Sequence, residues 1–384
     1  MPGPEFRRRP RRIGRGAALT LVFAIVLATA AATNGLPRDH EKEPALSATR
    51  SAAVTVRDNV ARAAAEAVAD GKSGTEAAEE VVSRSGDRWG AVYDKKEYEE
   101  FEQALDGEYT GVGLTAKRAA GGQVQVARVQ HGGPADKADI RAGDLLRTID
   151  GRPVAKRPVT EVVALLRGGD RTSVSLGLER DGRAWTEKLM RTTLTTEAVT
   201  VRRLGGGAVV IKVVSFTRGS GARVREAVQD APAGAGVLLD LRGNAGGLVA
   251  EAVSAASAFL DGGLVATYDI RGEQRALYAT PGGDTERPVV ALVDSGTMSA
   301  AELVTGALQD RGRAVTVGSR TFGKGSVQMP SRLPDGSVAE LTVGHYRTPA
   351  GHSVDGRGIT PDLTASQGAE ERAKTVLSGL GGGS

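Results

Sequence analysis

The sequence predicts a multidomain α+β protein, because three different patterns follow one another along its 384 residues. Residues 45–105 are rich in Ala, Glu, Val and Arg, with helical spacing that glycines interrupt. Residues 107–192 instead carry short β-branched runs between glycine turns. From Ala198 onward, predicted strands and helices alternate, which is typical of an α/β layer structure with a sheet in the middle. We therefore expect a helical N-terminal region, a compact β module and a larger α/β core.

The elements follow from local patterns in each region. In the β module, strands are predicted at Val124–Val129 and Ser173–Leu178, and a helix at Val159–Leu166. In the core, strands are predicted at Ala208–Val214, Gly236–Leu241, Val289–Val293 and Ala314–Val317, and helices at Gly221–Gln229, Ala250–Phe259 and Ala300–Leu308. Ser326–Tyr346 contains an Asp-Gly turn and is predicted to be a hairpin. The predicted divisions are 1–33 (export signal or anchor), 34–106 (helical region), 107–192 (β module), 193–366 (core) and 367–384 (flexible tail).

Composition limits the classes of partner and cofactor. The pI of about 9.3 suggests an anionic partner, but six Arg within residues 1–16 account for the formal charge of +4, so the rest is close to neutral. No basic face for nucleic acid is therefore predicted. The absence of cysteine excludes disulfides and thiolate metal sites. No metal or other cofactor is expected.

Location is predicted from the N-terminus. The Arg-rich stretch is followed by the uncharged run Ala17–Thr33, which is either a cleaved export signal or a single membrane anchor. Residues 28–30 and 30–32 both fit a small-x-small cleavage rule, and the two alternatives remain open. In either case the Arg-rich end stays cytoplasmic and the rest of the chain lies outside. We expect an extracytoplasmic protein that is membrane-anchored or secreted.

Ser299 and Lys324 are the candidate reacting residues. A hydroxyl nucleophile needs a base, and Lys324 lies in a glycine-flanked run, Gly323–Gly325, next to Phe322. Ser299 with Glu302 also matches a capping box, which by itself would explain the serine. A neutral lysine near pH 7 requires its pKa to fall by roughly 3 units, or about 4 kcal/mol, within what burial can supply.

Parts of the sequence also match three other classes of protein. Gly318–Gly325 resembles a phosphate-binding loop, but it lacks the final Ser/Thr and a hairpin is predicted to follow instead of a helix. A Ser-His-Asp hydrolase would use His345 or His352 with Asp355, although neither histidine belongs to a motif. A non-catalytic scaffold is the third, and the presence of both Ser299 and Lys324 argues against it.

The ordered motifs resemble the carboxy-terminal processing serine proteases of peptidase family S41. The segments that match are Tyr109–Leu114, Gly132–Ala138, Asp240–Gly247, the Ser299 segment, the Lys324 segment with Gln328, and Tyr346–Gly351. Departures occur at Ala245, Thr297, Met298 and Ala301, none of which removes a reacting group. The resemblance implies an inserted PDZ domain in the β module and a protease core of the S41 (ClpP/crotonase-like) type.

The resemblance also implies roles for further residues. Gln328 would hold the Lys324 amine, and Gly246 or Gly247 would be the second oxyanion donor beside the amide of Ala300. Asp240 and Arg242 are expected to fix the glycine loop by pairing. The substrate's C-terminal carboxylate would bind the PDZ loop at Gly111, Val112, Gly113 and Leu114. Its last side chain would enter an apolar pocket for which Val162, Leu165 and Leu166 are candidates. The expected partners are polypeptides with apolar free C-termini, and a homo-oligomer or a regulatory adaptor is left open.

Overall fold

A computed structural model of the protein describes residues 47–119, 122–270 and 273–381. The predicted export signal or anchor, 1–33, lies outside them. Within the described ranges, no helix has both the length and the apolar content needed to cross a membrane. The described part of the chain divides into two compact units: Glu108–Thr196 is one, and the described residues before Glu108 join those from Glu197 onward in the other.

The helices and strands have these bounds in chain order. The helices are α1 (Ser47–Ala69), α2 (Gly74–Arg84), α3 (Lys95–Leu105), α4 (Pro134–Lys137), α5 (Val159–Leu166), α6 (Ser220–Gln229), α7 (Val249–Ala256), α8 (Ala300–Asp310) and α9 (Ala369–Gly379). The strands are β1 (Ala91–Tyr93), β2 (Glu108–Gly111), β3 (Leu114–Arg118), β4 (Val124–Val129), β5 (Leu145–Ile149), β6 (Arg152–Pro153), β7 (Ser173–Arg180), β8 (Arg183–Met190), β9 (Thr192–Thr195), β10 (Val199–Arg203), β11 (Val209–Val213), β12 (Val237–Asp240), β13 (Leu264–Ile270), β14 (Glu273–Tyr278), β15 (Val289–Val293), β16 (Val315–Gly318), β17 (Ser326–Arg332), β18 (Val338–Arg347) and β19 (Leu363–Thr364).

The smaller unit is a mostly β module with one principal helix, as predicted. Its main sheet has the order β3-β4-β5-β7-β8, with β6 paired to β5, and its two ends form the separate antiparallel pair β2-β9. Its buried core includes Val124, Val126, Leu176 and Leu178, which alternate along β4 and β7 as expected for strands with one face inward. The predicted helix Val159–Leu166 has the predicted bounds.

The central sheet of the larger unit has the order β10-β11-β12-β15-β16-β19 and is parallel except between β10 and β11. Alternate side chains of its strands face opposite layers. Ile211 and Leu239 pack with residues of α6, α7 and α8, whereas Val210 and Leu238 pack with residues of α9. Strands covered on both faces are expected to be almost continuously apolar, as Val289–Val293 is.

A second sheet, of order β1-β18-β13-β14 with β17 paired to β18, contains the predicted hairpin. Its strand β1 comes from the N-terminal region and pairs antiparallel with β18, with Ala91 opposite Glu340 and Tyr93 opposite Val338. The N-terminal region, predicted as a domain of its own, is therefore part of the same compact unit as the core. A strand of only three residues is too short to be recognised from its pattern.

The C-terminal segment differs from the prediction. Residues 367–384 were expected to form a flexible tail, but Ala369–Gly379 form α9, so the prediction is wrong for those residues. Ala373 and Leu377 of this helix are fully or almost fully buried against the central sheet. Four-residue spacing places both on one face of the helix, which explains why so polar a segment is held in place.

Candidate active site

Three loops meet at one edge of the central sheet because each follows the carboxyl end of a parallel strand. Asp240–Gly247 follows β12, the Ser299 segment follows β15 and the Lys324 segment follows β16. These strands are neighbours in the sheet, in the order β12-β15-β16. The edge at the carboxyl ends of parallel strands is where α/β proteins commonly bind ligands. The topology therefore brings together residues that are far apart in sequence.

Ser299 begins α8 in a strained backbone conformation. Its φ of 58° and ψ of −116° are unusual for a residue with a side chain, and such conformations cost about 1–3 kcal/mol. The side chain is fully buried, and Oγ has no hydrogen-bond partner among the described residues. Tyr346 Oη donates to the Ser299 carbonyl at 2.9 Å, which fixes the turn. The hydroxyl is thus held at a helix N-terminus without being used as a cap.

Glu302 joins the Ser299 loop to the Lys324 loop. Its Oε2 accepts from the backbone N–H groups of Ser299 (2.8 Å) and Lys324 (2.9 Å). Its Oε1 accepts from the Gly323 N–H (2.7 Å) and from Thr321 Oγ1 (2.5 Å). Burial raises the pKa of this carboxyl, and the four donors oppose that rise. Sequence reasoning considered Glu302 only as a capping partner, and the S-x-x-E spacing gave no sign of its contacts with the distant loop.

Lys324 is almost completely buried, with 2% of its surface exposed. Burial lowers the pKa of its amine from 10.5 to about 8, while Glu340 and Asp87 oppose that shift. The ammonium nitrogen lies 5.0 Å from the centroid of the Trp89 ring, which packs in turn against Phe322 at 5.7 Å. The two loops are joined through Glu302, but no hydrogen bond joins Lys324 Nζ to Ser299 Oγ in this structure.

Gln328 is also fully buried, on β17. Its Nε2 donates to Ser326 Oγ (2.8 Å) and to Thr342 Oγ1 (3.2 Å). Its Oε1 has no partner among the described residues, so this oxygen does not accept a hydrogen bond from Lys324 here. An amide held through its nitrogen presents a fixed acceptor, which is the group that an ammonium requires.

The two candidate glycines of the oxyanion site have different surroundings. A Cβ added at Gly246 would lie 3.2 Å from the Ala300 nitrogen and from Ser299 Cβ, so Gly246 lies against the turn that carries Ser299. Its own N–H, however, donates to Asn244 Oδ1 at 2.8 Å. Gly247 forms a bridge with Phe216 in which Gly246 and Leu248 make the backbone hydrogen bonds. The Gly247 N–H is therefore directed away from that bridge.

The glycine loop is fixed by an ion pair, as expected. Arg242 donates to both oxygens of Asp240, at 2.8 and 2.7 Å, and Lys212 Nζ lies 3.3 Å from the same carboxylate. Hydrogen bonds and positive charges lower the pKa of Asp240 although burial opposes them. Asp240 and Arg242 therefore hold the loop by pairing with each other, and neither needs to contact substrate to account for these bonds.

The other catalytic interpretations do not fit the geometry. His345 and His352 are exposed and lie 3.7 Å from Asp355 and Asp310, respectively. Ser299 Oγ has no hydrogen bond to either histidine. A strand, β17, follows Lys324 where a phosphate-binding loop would have a helix. Within the described ranges, no group of His, Asp and Glu is arranged to hold a metal ion.

An apolar recess adjoins Ser299 and was not predicted from the sequence. Its lining side chains include Val249, Tyr268, Leu277, Leu303, Val327 and Tyr346. These residues come from four strands and two helices, so no local pattern could have assembled them. Its volume of about 10 Å³ in this structure is that of roughly one water molecule, so the recess would have to widen to accept an apolar side chain next to the serine.

The predicted tail-binding loop has a well-defined position in the smaller unit. Gly111 ends β2 and Leu114 begins β3, and between them the carbonyls of Val112 and Gly113 accept from Ala135 (3.0 Å) and Gln130 (2.8 Å). The Val112 side chain is buried in the module core. Strand β3 lies at the end of its sheet, with one edge not paired to another described strand.

Of the three pocket candidates on α5, two are core residues. Val162 and Leu166 are buried, whereas Leu165 is only partly buried. Leu165 is therefore the one whose side chain retains exposed surface.

Comparisons with known proteins agree with the sequence motifs. The model of peptidase family S41 matches residues 207–365, and a PDZ-domain model matches residues 125–180. A carboxy-terminal-processing protease of Bartonella bacilliformis is 32% identical over 292 residues, which cover 73% of this chain and 67% of that protein. The chain belongs to peptidase family S41.

Two further relatives support this membership. A "Probable CtpA-like serine protease" of Staphylococcus saprophyticus is 30% identical, over 79% of this chain and 63% of its own length. The solved photosystem II D1 C-terminal processing protease is 28% identical, with a TM-score of 0.52, over 87% of this chain and 97% of that one. The chain spans 63% of the length of the Staphylococcus saprophyticus protein and 67% of that of the Bartonella bacilliformis protein. The predicted S41 core and PDZ domain are confirmed.

Proposed function

We propose that this protein is an extracytoplasmic serine endopeptidase that cleaves polypeptides recognised by their free C-terminal tail, with Ser299 as nucleophile and Lys324 as general base. The observation that carries the proposal is the Glu302 carboxylate, which binds the backbone of both residues through one oxygen. A buried carboxylate used in this way holds two distant loops in a fixed relation. Membership in a family of serine peptidases supports the same roles.

The reaction would begin with proton transfer from Ser299 Oγ to the neutral Lys324 amine. With a pKa of about 8, roughly one tenth of the lysine is neutral at pH 7, against about 0.03% for an unperturbed amine. The serine oxygen then bonds to the carbonyl carbon of the scissile peptide. The lysine returns the proton to the departing amine as the C–N bond breaks. Water subsequently hydrolyses the acyl-enzyme by the same proton route.

The oxyanion formed in this step would be stabilised by two backbone N–H groups. One is that of Ala300, at the N-terminus of α8, where the helix dipole favours negative charge. We assign the other to Gly247, because the Gly246 N–H is already donated to Asn244. Gly246 would have a steric role, since its missing side chain leaves room against the nucleophile turn.

Substrate choice would be divided between two places. The apolar recess beside Ser299 would have to widen, and would then accept an apolar side chain near the scissile bond. The tail would add as a strand along the free edge of β3, with its carboxylate at the Gly111–Leu114 loop. Leu165, partly exposed on α5, is then the best placed of the three candidates to contact the last side chain.

The extracytoplasmic location rests on the N-terminal sequence alone. The positively charged start followed by Ala17–Thr33 would direct export, and the segment would bind the membrane if it is not cleaved. Cell fractionation of the full chain, with N-terminal sequencing of the product, tests both. Recovery of the protein in the cytosol with its first 33 residues intact would contradict the proposal.

The chemistry is tested with an unfolded protein that ends in apolar residues, incubated with and without EDTA. Ser299→Ala and Lys324→Ala should abolish cleavage while circular dichroism stays unchanged. Lys324→Arg should be equally inactive, because a guanidinium does not become a neutral base. His345→Ala with His352→Ala is the matched control and should retain activity. More than a few per cent activity in either alanine variant would refute the dyad, and inhibition by EDTA would indicate a metal.

Tail recognition is tested with one peptide as free acid and as C-terminal amide. The acid should be cleaved faster, because amidation removes the charge that the PDZ loop binds. Deleting residues 108–195, both strands of the β2-β9 pair included, distinguishes two models. We expect unregulated cleavage if the module gates the active site, and only a higher KM if it tethers substrate. Equal rates for acid and amide on the intact protein would refute tail recognition.

A further inference from the structure

A buried carboxyl group near Lys324 has no assigned role. Glu340, on β18, has no exposed surface, and neither of its side-chain oxygens has a hydrogen-bond partner among the described residues. Tyr93 Oη on β1 and Gln328 Oε1 on β17 are also buried polar atoms without a hydrogen-bond partner among the described residues. Both strands neighbour β18. Burying unpartnered polar groups is costly, so their concentration on three adjoining strands calls for a functional explanation.

The strand register places Glu340 on the same face of its sheet as Gln328. Alternate residues of a strand share a face, so Val338, Glu340 and Thr342 point to the same side of β18. Thr342 Oγ1 accepts from Gln328 Nε2 at 3.2 Å, which places Gln328 on that side also. Val338 packs with the aromatic cluster that contains Tyr93. Glu340 therefore lies between a group of aromatic rings and the glutamine that follows Lys324.

Charged and titratable groups face this carboxyl from several elements. Lys324 before β17, Tyr93 on β1 and Tyr98 on α3 interact electrostatically with Glu340, whereas Asp87 before β1 acts on Lys324 and Arg332 on β17 acts on Tyr98. The two tyrosines remain neutral, because burial and the charge of Glu340 raise their pKa values. Lys324 is the charged group that acts directly on Glu340.

Burial drives the two groups toward the same pH range from opposite directions. Burial raises the pKa of Glu340 to about 8, and the positive charge of Lys324 opposes the rise. Burial lowers the pKa of Lys324 to about 8, and Glu340 is the largest opposing charge. Two titratable groups that interact strongly have apparent pKa values that belong to the pair, so a change in the charge of one group shifts the pKa of the other.

We propose that Glu340 is a positioning residue that controls the charge of Lys324 through space. A neutral Glu340 carboxyl leaves the amine free to lose its proton, whereas an ionised carboxylate retains the ammonium ion. Glu340 contacts neither substrate nor the reacting atoms in this scheme. The inference rests on the proposed role of Lys324 as base.

The first test measures Lys324 directly and needs no activity. The Ser299→Ala protein is labelled with ε-¹³C-lysine, and the ¹³Cε shifts are followed from pH 5 to 11 by NMR. The signal that disappears in Lys324→Met assigns the residue. Glu340→Gln should lower the apparent pKa of Lys324 by about one unit, because a nearby buried negative charge is removed. Glu226→Gln, which removes an exposed carboxylate paired with Arg223 on α6, should leave it unchanged.

The second test follows kcat/KM against pH in the active protein. Glu340→Gln should shift the acid limb of the profile to lower pH by the same amount, which a purely structural role would not do. Glu340→Met provides a second neutral side chain if the glutamine variant folds poorly, since buried charges can often be replaced by apolar groups. An unchanged Lys324 titration in both variants would overturn the inference. If the NMR shift occurs but the wild-type protein does not cleave the substrate, the proposed function fails, whereas the control of the Lys324 charge by Glu340 stands.

Discussion

Glu302→Gln should disable the candidate active site although it changes only one atom of the side chain. The carboxylate accepts four hydrogen bonds, from the backbone of Ser299, Gly323 and Lys324 and from Thr321 Oγ1. A glutamine keeps one acceptor oxygen and turns the other position into a donor. Whichever way the amide lies, two of the four donors lose their acceptor.

The expected cost follows from this count. Each buried donor left unsatisfied costs about 1–3 kcal/mol, so the loss of stability should be about 2–6 kcal/mol, reduced by the removal of a buried charge. Stability is measured by urea denaturation and activity by kcat/KM on the unfolded substrate. Because Ser299 and Lys324 share Oε2, kcat should fall by at least 100-fold even under conditions where the variant is fully folded.

Glu251→Gln is the matched control. Glu251, on α7, also accepts two backbone N–H bonds, from Gly219 (3.0 Å) and Gly221 (2.8 Å), but it does not bind the Ser299 or Lys324 loop. It should lose some stability and retain kcat. Full activity in Glu302→Gln, or equal losses of kcat in both variants, would refute the reasoning.

Three further predictions concern pH, the glycine loop and the last helix. The kcat/KM of the wild-type protein should rise with pH through about 8, because the neutral form of the proposed base Lys324 increases around its lowered pKa; a rate independent of pH between 6 and 9 would contradict this. Gly246→Ala should abolish cleavage, because its φ is +100° and the new Cβ would lie 3.0 Å from the Met298 carbonyl; kcat/KM on a correctly folded variant measures it, and an active variant would exclude the close packing. Leu377→Asp should destabilise the protein by about 3 kcal/mol or more in urea, and no change would mean that α9 does not pack.

The repeating patterns of the core were sufficient to predict most of its elements. Strands such as Val289–Val293 are continuously apolar because both faces are covered, and the helix that begins at Ala300 has the predicted start. The proximity of the Ser299 and Lys324 loops also follows from topology, because both succeed parallel strands. Their hydrogen-bonded link through Glu302 does not, since it depends on the conformation of two loops.

Elements whose stability comes from distant contacts were missed. The three-residue strand β1 exists because it pairs with β18, which lies more than 240 residues later in the chain. Helix α9 has a polar composition, and its small apolar face can be recognised as a packing surface only when the sheet against which it lies is known. Glu340 was overlooked because a single acidic residue in an alternating strand is ordinarily exposed.

The β2-β9 pair has a consequence for how the PDZ module is inserted. Glu108 lies opposite Thr195 and Gly111 opposite Thr192, so the chain leaves and returns within the width of one strand pair. An insertion of ~90 residues would normally add the closure entropy of a long loop to the folding of the larger unit. Once the β2-β9 ladder has formed, the insertion adds only the closure entropy of a short turn. The ladder can form only after the module has folded, and the two ends of the larger unit are then presented to each other at close range. Folding of the insert should therefore accelerate completion of the unit that surrounds it in sequence.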